Sequence, residues 1–299
     1  MSTTPTAPTK PTTHTSFRGW GSGLLAVAIF SGSMPATRVA VLGLSPWLLT
    51  SARALIAGLL AFVLLASYRQ PWPRARQWHA LLVVAACCVV GFPLLSGLAL
   101  QHMSAARSLV FLGLLPLSTA IFGVVRGGER PSAAFWGFAL LGALAVGGFA
   151  LGRDAATSAL GDGLMIAAIA VCGLGYAEGA VLTRALGGWQ VISWALVLSI
   201  PFALVGTVAF WPLAGLGGVA PASWLGLGYV SVFSMLIGFI FWYRGLSLGG
   251  IARVGQLQLL QPFLGLGLAA FLLREHVAPS MLVATLIVVG CVAGAKRFA

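Results

Sequence analysis

Charged side chains are the scarcest feature of this chain, and their scarcity excludes most soluble folds. Only 7% of its 299 residues are charged and 59% are hydrophobic, whereas charged residues make up about 25% of a typical soluble globular domain. Aspartate and glutamate together number 5, against 17 for lysine and arginine. The composition therefore predicts an all-α polytopic membrane protein, with no room for a separate soluble domain.

Motifs for catalysis or for a metal ion are missing as well. The five acids and four histidines form no HExxH motif, no phosphate-binding loop and no nucleophile elbow. The cysteines lie in apolar stretches without CxxC spacing, at Cys87, Cys88, Cys172 and Cys291. Such cysteines are typical of small packing residues. The sequence therefore predicts no enzyme activity, no cofactor and no metal site.

Long apolar runs are what the chain does have, each close to the ~20 residues that an α-helix needs to cross a bilayer. Charges, prolines and turn residues divide the chain into ten predicted spans: 20–40, 46–67, 79–101, 105–125, 132–151, 163–183, 190–210, 223–244, 254–273 and 280–295. Residues 1–17 are rich in threonine and proline. Because they have little to bury, they are predicted to form a disordered tail.

The net charge of +12 does not indicate a nucleic-acid partner, because the basic residues are scattered singly between the apolar runs. Their placement indicates orientation instead. Most of them lie in the tail, the even-numbered loops and the C-terminus, so the positive-inside rule predicts that both termini are cytoplasmic. The loop 68–79 combines three arginines with aromatic residues, which suits anionic headgroups of the lipid bilayer.

An internal repeat organises these spans. The stretches 107–129 and 253–275 share one frame, in which an arginine is followed nine residues later by a proline and thirteen residues beyond that by a glutamate. The frame divides the chain into two repeats of five spans, 18–152 and 153–299. A unit with an odd number of crossings leaves its copy inverted, and inverted repeats are a transporter architecture with the substrate near mid-membrane. A duplicated membrane scaffold without transport is the alternative.

Three loose motifs carry a family resemblance. They are the P-x6-R of Pro46 and Arg53 in span 2, the Ala-Arg followed by a mid-span proline in spans 4 and 9, and the glutamates that precede small-residue spans 5 and 10. With these features, which cover nearly the whole chain, it resembles the drug/metabolite transporter superfamily, in its ten-span branch of paired EamA domains. Within that branch it is most similar to the YddG-type exporters of aromatic and other amino acids.

The resemblance implies a basket of helices around a central cavity. Spans 1, 3, 4, 6, 8 and 9 should line that cavity, and spans 5 and 10 should be peripheral. Span 6 departs from the pattern, because it has no counterpart of the Ser31–Pro35 segment of span 1.

Two glutamines of span 9 are the first candidates for binding a substrate, because polar side chains are costly in lipid and should face a cavity or a neighbouring helix. Gln258 and Gln261 share a helix face just before a kink expected at Pro262. They can bind an amine or a carboxylate. Alternatively, they bond to another helix or to carbonyl groups that the proline frees.

The remaining uncharged candidates lie in spans 1, 6 and 8. Ser33 and Met34 stand beside a kink expected at Pro35, and a third kink is expected at Pro116. Three aromatic residues are predicted to form a wall for apolar or aromatic side chains, or for a cation that binds the π face of a ring: Tyr176, Trp242 and Tyr243. For the last two, anchoring at the membrane interface is the alternative.

The titratable candidates each have two interpretations. Arg53 either snorkels towards the interface or is the partner of a carboxylate or substrate anion. His102 is a substrate-binding residue or proton carrier, or else a solvated helix end. Glu178 carries a coupling proton or pairs with Arg184.

The repeat glutamates, Glu129 and Glu275, are candidate gates. In the structural alternative they complement helix starts, where a carboxylate meets unpaired N–H groups and the positive end of the helix dipole.

Taken together, these features predict a secondary transporter of the bacterial inner membrane that exports amino acids, aromatic and neutral ones in particular, by alternating access. Export rather than uptake is implied by the resemblance alone. The first alternative is a proton-coupled exporter of cationic drugs, which needs an acid deep in the cavity, and span 1 has none. The protein is expected to be a monomer or a weak homodimer.

Overall fold

The computed structural model describes residues 13–127, 132–151, 158–213, 215–249, 255–295 and 297, and this part of the chain is helical without strands. We number ten helices, several of them interrupted. In the first half they are α1 (Thr13–Ser31 and Ser33–Val41), α2 (Pro46–Ser67), α3 (Ala75–Val84, Ala85–Gly91 and Phe92–His102), α4 (Ala105–Leu112 and Leu115–Gly127) and α5 (Ala133–Leu151). In the second half they are α6 (Ala159–Leu186), α7 (Gly188–Ala209), α8 (Pro221–Gly228, Tyr229–Ile237 and Gly238–Gly249), α9 (Gly255–Leu260 and Gln261–Leu273) and α10 (Pro279–Ala295).

These helices correspond one to one to the ten predicted spans. Seven of them are long and apolar enough to cross a membrane, and α5, α9 and α10 contain shorter apolar helices. Their outer faces are apolar, as at the exposed side chains Phe202, Val205 and Val208 of α7, which lipid covers more favourably than water. α1 begins at Thr13, inside the segment predicted to be a disordered tail; residues 1–12 lie outside the described residues.

Three helices are interrupted or change helix type shortly before a proline. α1 breaks at Gly32, ahead of Pro35, and α4 breaks between Leu112 and Leu115, ahead of Pro116. α9 changes from a 3₁₀-helix to an α-helix at Gln261, ahead of Pro262. A proline has no N–H group and its ring crowds the carbonyl four residues earlier, so the preceding turn loses its regular hydrogen bond.

Two π-helical segments were not predicted from the sequence. One lies in α3, over Ala85–Gly91, and the other in α8, over Tyr229–Ile237. Since α3 and α8 are the third helices of the two repeats, the segments occupy corresponding positions. π-helical turns are rare and are found frequently at functional sites.

The helix packing relates the two halves by a two-fold exchange. α2 packs on α7, α4 on α9 and α5 on α10, while α1 packs on α8 and α3 packs on α6. If each helix is replaced by the helix at the same position in the other repeat, for example α1 by α6 and α8 by α3, the same set of pairs results. With five crossings in each half, the repeats run in opposite directions through the membrane.

Glu275 connects the repeats at a helix start. Its Oε1 accepts a hydrogen bond from the backbone N–H of Ala105 at 3.0 Å, and its Oε2 accepts one from Ala106 at 2.8 Å. The carboxylate thus caps α4 in the other repeat rather than α10, the helix that follows it in sequence. Glu129 and Arg253, the counterparts in the repeat frame, lie outside the described residues.

A buried ion pair forms a second connection between the repeats. The Arg107 guanidinium, at the start of α4, donates from Nε to Asp162 Oδ1 at 2.9 Å and from Nη2 to Oδ2 at 2.7 Å. Asp162 lies in the first turn of α6. Arg107 is only 2% exposed and lies over the Phe149 ring, 4.8 Å from its centroid.

Replacing Arg107 by methionine should destabilise the protein by about 3–5 kcal/mol, because the Asp162 carboxylate then remains buried without its partner. The measurement is the Tm of purified protein in detergent. The double variant Arg107→Met/Asp162→Leu should recover most of the loss, since apolar replacement of both members of a buried pair is often close to neutral. A single variant as stable as the wild type would show that the pair does not hold the repeats together.

Candidate functional site

A narrow cavity lies between the two repeats, with a volume of about 30 Å³. The helices α1, α3, α4, α6, α8 and α9 all contribute to its wall, as the family resemblance implies. α2 contributes as well, through Arg53. Neither α5 nor α10 places a described side chain in the wall; these two helices pack on each other.

The cavity wall carries hydroxyl groups from both repeats. Ser33, in the first turn after the α1 break, and Ser234, in the π-helical segment of α8, lie with their Oγ atoms 2.7 Å apart and share a hydrogen bond. Both side chains are buried and both line the cavity. The irregular backbone of the two helices thus brings the two hydroxyl groups together.

Side chains of the second repeat bind the carbonyl groups near the α1 break. Tyr229 donates from its hydroxyl to the Ile29 carbonyl at 2.7 Å, and Gln261 donates from Nε2 to the Phe30 carbonyl at 3.4 Å. A break in lipid is tolerated where such partners replace the lost helical bonds. Gln261 lines the cavity and bonds to another helix, so the structure shows the alternative role, and substrate binding stays a prediction.

Arg53 is buried in the cavity wall. Its side chain is 5% exposed, so it does not snorkel to the interface, and that interpretation is wrong. Its Nε has no hydrogen-bond partner, and no described carboxylate forms an ion pair with it. The interpretation that is left is a partner for an anion.

Most of the cavity wall is apolar, with several aromatic and sulfur-containing side chains. Tyr176 of α6 packs edge-on against Phe239 of α8, with ring centroids 5.9 Å apart. The other apolar residues of the wall are Phe30, Met34, Cys88, Phe92, Leu112, Leu115, Cys172 and Met235. Cys88 and Met235 belong to the two π-helical segments, which were missed in the sequence because glycine, cysteine and serine there form no recognisable pattern.

Three predicted uncharged residues are buried close to the cavity but do not line it. Trp242 and Tyr243 are 3% and 2% exposed, so neither is an interfacial anchor; they pack with Phe30 and Phe239. Gln258 is also buried, and its Nε2 has no hydrogen-bond partner among the described residues. Of the predicted polar and aromatic set, the structure brings Ser33, Met34, Tyr176 and Gln261 together.

Two predicted titratable residues lie away from the cavity wall. His102 is exposed at the last residue of α3, the position expected of a solvated helix end. Glu178 is buried in α6 but does not line the cavity. The Arg184 side chain, its proposed partner, lies outside the described residues.

Comparison with known proteins places both halves in one family. The model of the EamA-like transporter family matches residues 18–151 and 159–295. An uncharacterized transporter of Bacillus subtilis (strain 168), YdeK, is 57% identical over 281 residues, covering 94% of this chain and 98% of that protein. A solved structure titled only "Crystal structure of protein" has the same fold, with a TM-score of 0.62 at 20% identity over 94% of this chain and 97% of the other.

The Ser33–Ser234 contact predicts a cross-link between α1 and α8. In a variant without the four native cysteines, Ser33→Cys and Ser234→Cys should form a disulfide on mild oxidation, because hydroxyl groups 2.7 Å apart bring the Cβ atoms near disulfide distance. Loss of maleimide labelling, restored by reduction, is the measurement. The control pair is Ser33→Cys with Ser231→Cys, because Ser231 donates to Leu227 in its own helix. Equal cross-linking of both pairs would contradict the contact.

Proposed function

Since the chain belongs to the EamA-like transporter family, we propose that it is a secondary transporter that exports amino acids, aromatic and neutral ones in particular, by alternating access. The observation that carries this proposal is the amphipathic cavity between the repeats. Hydroxyl and amide groups share the wall with aromatic and sulfur-containing side chains. A small solute with a polar head and an apolar side chain can contact both kinds of group.

The size of the cavity supports alternating access. A volume of about 30 Å³ holds a few water molecules at most, since one water needs roughly 10–15 Å³. Ligand pockets are typically about 300–1,000 Å³. The cavity is therefore too small for an amino acid as it stands, and substrate binding would require the residues around it to move apart.

The irregular helices supply places where that movement can occur. The breaks in α1 and α4 and the π-helical segments of α3 and α8 all adjoin cavity residues. Helices bend at such points, where the ladder of backbone hydrogen bonds is interrupted. A carrier built in this way can open by bending a few helices around a fixed core.

The electrostatics of the wall disfavour the cationic-drug alternative. That mechanism needs a buried acid for both the proton and the cation, yet the described side chains of the wall include an arginine and no acid. Neither buried acid of α6, Asp162 or Glu178, lines the wall. A substrate with a negatively charged group fits this charge distribution better.

The proposed location is the bacterial inner membrane, with both termini in the cytoplasm. An even number of crossings leaves the termini on one side, and the distribution of lysine and arginine favours the cytoplasmic side. Reporter fusions at each terminus test this assignment, and a reporter active on the outside would contradict it.

Reconstituted protein should exchange radiolabelled amino acids across proteoliposomes, with phenylalanine as the first probe. The Ser33→Cys/Ser234→Cys variant should lose this flux on oxidation and regain it on reduction, because α1 and α8 must separate in each cycle. The Ser33→Cys/Ser231→Cys variant should keep its flux under the same oxidant. If no amino acid among the twenty is carried by the wild type, the proposed function is wrong.

Replacing Glu178 by glutamine distinguishes the two transport functions. Amino-acid flux should be unchanged, because Glu178 does not line the cavity. The matched measurement is proton-driven efflux of an organic cation, such as ethidium, in the same vesicles. Wild-type ethidium efflux that disappears in Glu178→Gln would favour the drug exporter.

A further inference from the structure

We propose that Arg53 is the receptor for the substrate's carboxylate, so that the transported class is apolar carboxylic acids whether or not they also carry an ammonium group. This inference rests on the proposed function and goes beyond it, because it states which end of the amino acid is selected by charge.

Arg107 is an example of a buried arginine with a structural role. Its guanidinium binds both oxygens of Asp162 and is also covered by Phe149. A charge removed from water is tolerated when it is paired and hydrogen-bonded in this way. The ion pair satisfies the charge within the protein.

Arg53 is buried to a similar degree, but the described part of the chain gives it no acidic partner. Its Nε is also without a hydrogen bond. A buried arginine that lacks a partner lowers the stability of the folded protein. Charged residues inside membrane helices mark substrate pathways for this reason, and Arg53 lies in the wall of the cavity.

The guanidinium group matches a carboxylate in both charge and shape. Its planar N–H donors form two parallel hydrogen bonds with the two carboxylate oxygens. It also keeps its positive charge at neutral pH. Because Nε has no hydrogen-bond partner in this structure, it can donate to a carboxylate that enters the cavity.

The substrate's ammonium group meets a different environment. The polar groups of the wall besides Arg53 include Ser33, Ser234 and Gln261, and these are neutral. The described side chains of the wall include no aspartate or glutamate. An ammonium group is therefore bound through neutral acceptors, and its loss should weaken binding far less than loss of the carboxylate.

Competition against phenylalanine tests this selection with the wild-type protein alone. Purified full-length protein in nanodiscs is incubated with radiolabelled phenylalanine and with unlabelled phenylpyruvate or phenethylamine. Phenylpyruvate keeps the carboxylate and lacks the amine, whereas phenethylamine has the reverse. Phenylpyruvate should displace phenylalanine, and phenethylamine should compete roughly 10- to 100-fold more weakly, the range expected for losing hydrogen bonds to a charged group.

Variants at Arg53 test the residue itself. Arg53→Gln should weaken phenylalanine binding about 10- to 100-fold, as expected for loss of a buried charged partner, and Arg53→Lys should recover part of it. The control is Arg38→Gln, which also removes a positive charge from a membrane helix. Arg38 donates to the Leu100 carbonyl and does not line the cavity, so this variant should bind phenylalanine like the wild type.

Thermal unfolding separates a binding role from a structural one. The ligand-free Arg53→Gln protein should have a Tm equal to or above that of the wild type, because an unpaired buried charge has been removed. The rise in Tm that phenylalanine gives the wild type should be absent in this variant. A structural arginine would behave in the opposite way, with a lower Tm and an unchanged ligand effect.

The outcomes distinguish this inference from the proposed function. If the wild type carries phenylalanine but phenethylamine competes as well as phenylpyruvate, the inference is wrong and the transporter proposal stands. The same holds if Arg53→Gln binds phenylalanine like the wild type, or if its Tm falls. If the wild type carries no amino acid, both fail together.

Discussion

Every backbone polar group inside a bilayer must find a partner within the protein, and the irregular parts of this structure depend on that constraint. The break in α1, ahead of Pro35, is tolerated because Tyr229 and Gln261 bind the carbonyl groups of Ile29 and Phe30. The start of α4 is similarly completed by Glu275. In each case a side chain of the second repeat satisfies backbone of the first. The irregular backbone of the first repeat therefore depends on its contacts with the second repeat.

The same constraint makes the exceptions informative. Arg107 is satisfied by Asp162, whereas Arg53, equally buried, has no ion-pair partner among the described residues. The unpaired arginine lies at the cavity and the paired one does not. The proposal that Arg53 binds the substrate's carboxylate rests on this difference between the two arginines, because stability is often given up at a binding site.

The ten spans, the two-fold repeat and the family could be predicted because apolar length and the spacing of rare residues are written directly in the sequence. The prolines likewise indicated where α1, α4 and α9 become irregular. Which way a side chain points could not be predicted, because that depends on helix rotation and on irregular turns. Gln258 and Gln261 share a helix face, but only Gln261 reaches the cavity. A 3₁₀-helix rises by ~2.0 Å per residue, so the two residues lie about 6 Å apart along its axis.

Under the proposed alternating access, the groups that join the helices at the cavity are also the ones that a substrate would use. Ser33 and Ser234 bind each other across the repeats, and Gln261 binds the Phe30 carbonyl through a long hydrogen bond of 3.4 Å. A solute that accepts or donates hydrogen bonds at these groups would replace contacts between helices with contacts to itself. In the proposed cycle it therefore binds a more open arrangement better than this one, and such a difference in affinity is what shifts a conformational equilibrium. Substrate recognition and opening of the cavity would then be a single process.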